Sequence, residues 1–112
     1  MTYRVVLHRL AKVDLYGYYR FAAQHSIVDA SRWLDRFETA LHTLSERPER
    51  CSLSREGHKL KLELRDFLFG KRPHVYRVVF IINESTVRVL RICRSRRNTL
   101  SAEQINEALT NE

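Results

Sequence analysis

Cysteine is scarce in this chain, with two among 112 residues, and Cys51 and Cys93 form neither a metal-ligand spacing nor a disulfide framework. They read as two reduced thiols of a cytosolic protein. Long apolar runs are also missing. None approaches the roughly 20 residues that a bilayer span needs. The apolar part of Met1–Leu7 is too short for a signal peptide, and no small-residue cleavage site follows it. The expectation is a cytoplasmic chain without membrane contact. Repeats, low-complexity segments and an internal linker are absent, no tyrosine follows Tyr76, and no Lys or Arg follows Arg97.

What is present suits one globular domain over residues 1–112, with 44% hydrophobic residues and enough length to bury a core. Net charge is +7 and unevenly spread. Residues 1–50 are nearly balanced, residues 51–97 carry 12 Lys/Arg against 4 Asp/Glu, and residues 98–112 carry only acidic charge. A one-sided basic field of this kind predicts an acidic partner, either protein or nucleic acid.

Tyr3 to His8 alternates as a short strand. From Leu10 the period changes: Ala11, Leu15, Tyr18, Tyr19 and Ala22 recur at helical spacing, predicting a helix over 9–24. Gly17 within it costs up to about 1 kcal/mol, a cost that close packing would explain. Ser26 is the expected N-cap of a second helix, with Asp29 as a capping-box acceptor and Ala30, Trp33, Leu34, Phe37, Leu41 and Leu44 as its apolar stripe up to Pro48. The short break makes the two helices an antiparallel hairpin, with stripes read as core packing against a sheet.

Residues 51–58 read as a polar loop. Lys59 to Arg65 alternates strictly and is expected to be a half-buried strand. Phe67–Pro73 is expected to turn around Gly70, His74–Ile82 to form a central strand, and Thr86–Cys93 to return beside it. Ser101 and Gln104 make a capping-box pattern that opens a last helix. The fold class is α+β: a helical hairpin packed on a small, mainly antiparallel sheet in the order β-α-α-β-β-β-α.

That order resembles the RelE/ParE superfamily of bacterial type II toxins. The resemblance covers nearly the whole chain and rests on Ala11-x-x-Asp14-Leu15, the second helix ending near Pro48, Leu64-Arg65, Tyr76-Arg77-Val78-Val79-Phe80, and Val89-Leu90-Arg91-Ile92 running into Arg96-Arg97-Asn98. It implies a toxin component of a toxin–antitoxin system, causing growth arrest and stabilising plasmids, and neutralised by a cognate acidic antitoxin in a hetero-oligomer. RelE-like members are ribosome-dependent mRNA endonucleases. ParE-like members share the fold and poison DNA gyrase.

Metal-free RNA cleavage needs a base, cations at the pentacovalent phosphate, and an acid for the leaving oxygen. The family's Tyr-Arg-Val arginine is matched by Arg77, and its terminal arginine by Arg94, Arg96 or Arg97. Lys59 and Lys61 form a Lys-x-Lys, yet anchoring on Leu64-Arg65 puts Glu63 where the second lysine belongs, and the C-terminal tyrosine is absent. The nuclease set, if there is one, comprises Arg77, Arg97, His58, His74 and Lys61, acting as a metal-independent endoribonuclease that blocks translation. The departures favour the ParE-like branch: a non-enzymatic gyrase inhibitor with no cofactor and no metal. Arg65, Arg77, Arg91, Arg94, Arg96 and Arg97 are then the expected antitoxin- or target-binding residues, forking onto carboxylates. Pairing of Arg65 or Arg77 with Glu63 or Asp66 across the sheet is the competing structural role. A third reading is a degenerate member that acts only as a binding partner.

Overall fold

His8 ends one kind of structure and begins another. Its Nδ1 accepts the N–H of Leu10 at 3.0 Å, capping helix α1 (Arg9–Ala23) directly after strand β1 (Arg4–Leu7). This computed structural model describes residues 2–94 and 99–110. Helix α2 (Ile27–His42) follows, with the Ser26 hydroxyl accepting from the N–H of Asp29 at 3.2 Å, and two short 3-10 turns carry the chain past Pro48. Then come β2 (Ser52–Leu53), α3 (Arg55–Leu60), β3 (Arg65–Lys71), β4 (His74–Asn83), β5 (Thr86–Cys93) and α4 (Ala102–Thr110).

The strands form one sheet in the order β1-β5-β4-β3-β2. β1 runs parallel to β5 and the other neighbours are antiparallel. Alternation on β4 divides the core in two. Val78 and Phe80 face the helical hairpin with Leu15, Phe37, Leu41 and Val89. Val79 faces the other way, into a second cluster with Leu64, Leu90, Leu100, Ile105 and Ala108, which α4 helps to cover. An irregularity after Val79, where Val79 pairs with Arg91 but Phe80 with Val89, leaves Leu90 as the extra residue and buries it there. The α+β class, the helical hairpin and the meander of the sequence reading are all present. The capping box of α4 is formed as well: Ser101 N–H donates to Gln104 Oε1 at 2.8 Å and Gln104 N–H to Ser101 Oγ at 3.1 Å.

Residues 51–65 differ from expectation. The polar loop contains a helix, and the strand expected over 59–65 begins instead at Arg65 and continues through the segment expected to turn. Lys61 adopts the left-handed conformation at φ 55°, and the N–H of Leu62 returns to the carbonyl of Gly57 at 2.9 Å, closing the helix. Leu60 and Leu64 join the second core while Leu62 is exposed, so the alternating leucines share no sheet face. Gly17 has nothing within 4 Å of where a Cβ would lie, so close packing is not the reason for it.

Candidate functional site

β1 ends at Leu7, opposite Val89, so the last residues of β5 lose their parallel neighbour. Asp14 of α1 takes its place. One carboxylate oxygen accepts from Arg91 Nε at 2.8 Å and from the N–H of Ile92 at 2.9 Å, and the other accepts from Arg91 NH2 at 3.0 Å. The fork satisfies a strand-edge donor and fixes the helix to the sheet. Hydrogen bonding to Asp14 raises the pKa of Arg91 despite the opposing effect of burial.

Arg77, in the middle of β4, is buried at 2% exposure. Its guanidinium lies between two carboxylates: Glu56 at 2.5 and 3.0 Å, and Asp66 at 3.0 Å. Glu56 is presented by α3, whose Ser54 cap donates to the same carboxylate at 2.7 Å. The N–H of Leu100 adds a further bond to Glu56 Oε2 at 2.9 Å. Burial alone pushes the Glu56 carboxyl up, but the bonds from Arg77, Leu100 and Ser54 outweigh it and hold it at about 2. Asp66 moves the other way, raised by burial although Arg77 pulls it down. Close approach makes this possible at Gly57, where a Cβ would lie 2.4 Å from the Leu62 carbonyl oxygen.

The accessible part of the candidate site lies just beyond Arg77, where β4 begins and β5 ends. Arg94, exposed just past β5, has a guanidinium nitrogen 3.5 Å from Nδ1 of His74 at the start of β4. Beside them Tyr76 packs against Tyr18 and Trp33 with ring centroids 5.2 and 5.3 Å away. Between these rings and the β3–β4 turn opens a hollow of about 590 Å³, with Phe69 and Tyr76 among its walls and Arg36, Lys71 and His74 supplying positive charge. Burial raises the Tyr76 hydroxyl above its ordinary pKa, with Arg94 opposing, so the ring stays neutral and apolar in character. Such a surface suits a segment carrying both apolar and acidic side chains.

The remaining candidates are scattered. His58 is exposed on α3, and Lys61 is exposed at the left-handed turn that ends it. Lys59 and Lys61 therefore share no strand face. Arg65 donates to the carbonyls of Cys51 at 2.8 Å and Glu49 at 3.2 Å, pinning the approach to β2 rather than pairing with Glu63. Arg96 and Arg97 lie outside the described residues. Of the named groups, the structure brings together His74 and Arg94, and engages Arg65, Arg77 and Arg91 internally. Sequence reasoning missed Arg36 and Lys71. The signal for Arg36 was available: three positions after Trp33 on the same helix, it sits at the rim of the face that Trp33 enters. Among the described residues, no three His, Cys, Asp or Glu side chains stand close enough to hold a metal ion. No helix among them is long and apolar enough to cross a membrane.

Comparison with known proteins agrees with the fold. A family model described as the ParE toxin of the type II toxin–antitoxin system parDE matches residues 5–99. That span takes in both internally paired arginines, Arg77 and Arg91, and the groove with Arg94. No curated protein matches the chain.

Proposed function

The chain belongs to the ParE toxin family of type II toxin–antitoxin systems, and from that premise we propose that it inhibits DNA gyrase by binding it. Replication stops, growth arrests, and a plasmid carrying the gene is stabilised. A cognate acidic antitoxin neutralises the toxin by covering the basic, aromatic groove in a hetero-oligomer. The toxin acts by occupancy in the cytoplasm and turns over no substrate.

The observation that carries this reading is the enclosure of Arg77. A nuclease arginine must meet a phosphate at the moment its charge builds. Here the residue in the Tyr76-Arg77-Val78 position is 2% exposed and faces Glu56 and Asp66, two carboxylates that repel a phosphate and satisfy the guanidinium. Lys61, the nearest counterpart of a nuclease lysine, stands exposed on a turn. What is left accessible (Arg94, His74, Arg36 and Lys71 around aromatic rings) supports docking to acidic protein surfaces.

A supercoiling assay with purified protein and gyrase tests the proposal, with translation followed in parallel. Inhibited supercoiling with intact mRNA is the expected result. Translation arrest with cleaved mRNA and unaffected supercoiling overturns it in favour of a ribosome-dependent interferase. Harmless overexpression without any antitoxin would instead leave a binding partner with no toxicity.

A further inference from the structure

Helix α1 is apolar on two sides. Ala11, Leu15 and Tyr18 pack into the first core. Arg9, Val13, Tyr16, Gly17 and Arg20 recur at helical spacing on the opposite side, which faces away from the protein. The outer side of a surface helix is ordinarily polar. Here Val13 is 55% exposed and Tyr16 is 39% exposed, with Gly17 beside Tyr16 and one turn on from Val13.

Nothing within the chain calls for glycine at this position. Gly17 is not among the residues with positive φ, and a Cβ there would meet nothing within 4 Å. In a helix interior it costs up to about 1 kcal/mol relative to alanine. What glycine gives a helix surface is a flat spot where another backbone can come close. The charges around that spot have one sign. Arg9, Lys12 and Arg20 are exposed and form no ion pair among the described residues, while Asp14, the one acid of α1, is turned to Arg91.

These features select an occupant. Two copies meeting here would set the cations of α1 against one another. A nucleic-acid strand would neutralise the cations but leave Val13 uncovered. A helix on an acidic protein surface meets every requirement: its backbone approaches at Gly17, its apolar side chains cover Val13 and Tyr16, and its carboxylates reach Arg9, Lys12 and Arg20. The face is separate from the aromatic hollow, since none of Val13, Tyr16, Gly17 and Arg20 lines it. Phe21, 58% exposed, connects the two, because it borders a smaller hollow of about 420 Å³ with Trp33, Tyr76 and Arg94. A segment lying in the groove would therefore crowd one end of this face.

We infer that the outer face of α1, centred on Gly17, is the surface by which the toxin grips its protein target, with an acidic helix of that target crossing at the glycine. That the target is gyrase rests on the reading above; the face and the chemistry of its occupant do not.

The test separates stability from function. Gly17→Ala should raise the melting temperature and yet weaken inhibition of gyrase supercoiling about fivefold or more, because the methyl group clashes with nothing in the chain and meets the partner's backbone instead. Gly17→Gln should weaken inhibition further, and Arg20→Glu should weaken it most at low salt. Thr39→Gln, an exposed change on α2, should leave it unaltered. Co-elution of each variant with gyrase on gel filtration reads binding directly, and melting curves show that each is folded. Undiminished inhibition by both Gly17 variants overturns the inference, and so does undiminished inhibition by Arg20→Glu, which keeps the test decisive if the Gly17 variants melt low. Self-association of the wild-type chain that Gly17→Gln abolishes assigns the face to a second copy. A DNA mobility shift without gyrase that Gly17→Gln abolishes assigns it to nucleic acid, and either result overturns the inference. The gyrase reading fails separately. If the wild-type chain arrests growth on induction but leaves supercoiling untouched, gyrase is removed as the target and the same variants are scored by growth arrest. A wild-type chain that does neither has no target for the face, and the inference falls as well.

Discussion

Asp14 and Arg91 are 77 positions apart in the chain, yet their side chains lock in a two-pronged pair at 2.8 and 3.0 Å. The same carboxylate accepts the N–H of Ile92, so one residue of α1 serves both a side chain and a strand edge. Asp14→Ala should therefore cost more than an ordinary surface pair, about 2–3 kcal/mol, because it leaves a mostly buried guanidinium and a main-chain donor unmatched. Urea unfolding measures this. A change below about 0.5 kcal/mol would place the pair with exposed ones.

Acid stability should report on Glu56. Its folded-state pKa of about 2 lies below the ordinary 4.5, so its contribution is complete above about 4.5 and is lost as pH falls toward 2. Asp66 has the opposite sign: its raised pKa favours proton uptake by the folded state and partly offsets the loss. Arg77 stays charged throughout. Glu56→Gln should flatten the fall in stability between about pH 4.5 and 2, and Glu56→Ala should cost about 3 kcal/mol at neutral pH by taking from the buried Arg77 guanidinium one of its two carboxylate partners. Chemical denaturation across that pH range checks both.

Two glycines should respond oppositely to alanine. At Gly57 the new methyl would meet two backbone atoms, Leu62 O at 2.4 Å and Leu64 N at 3.1 Å, and a loss of about 1–3 kcal/mol is expected. At Gly17 it would meet nothing within 4 Å on a helix interior, and a gain of up to about 1 kcal/mol is expected. Thermal melts of the two variants should move in opposite directions.

Burial raises both thiols above their ordinary range, more than the nearby arginines lower them. Neither should react readily with a disulfide reagent at neutral pH in the folded protein. Cys51, part-buried, should react before Cys93, which is 6% exposed. The reverse order, read by mass spectrometry of partly labelled protein, would contradict the packing of Cys93 in the second core.

The helices of the hairpin and α4 were readable because their apolar residues recur at helical spacing and Ser26 and Ser101 announce their starts. The long strands were readable from β-branched runs bounded by turn residues. α3 was not. Lys59 to Arg65 has the period of a strand, and what makes the preceding residues helical is Glu56 finding Arg77, 21 positions away. Long-range pairing also explains the arginines. Sequence displays their charge but not its destination, and Arg65, Arg77 and Arg91 are held by a carbonyl pair, a carboxylate pair and Asp14 respectively. The groove at Arg94 and His74 was half visible. His74 and Arg94 were named, whereas Arg36 and Lys71 were missed and its aromatic walls read as ordinary core.

The three consecutive buried residues Val78, Val79 and Phe80 point alternately into the two cores. Neither core can loosen without disturbing the strand that the other is built on. Melting should therefore be a single cooperative event, in which the N-terminal helices and α4 lose protection together although they lie on opposite sides of the sheet. A chain built this way has no half-unfolded state in which one layer persists alone, and a ligand that tightens either face raises the unfolding temperature of both.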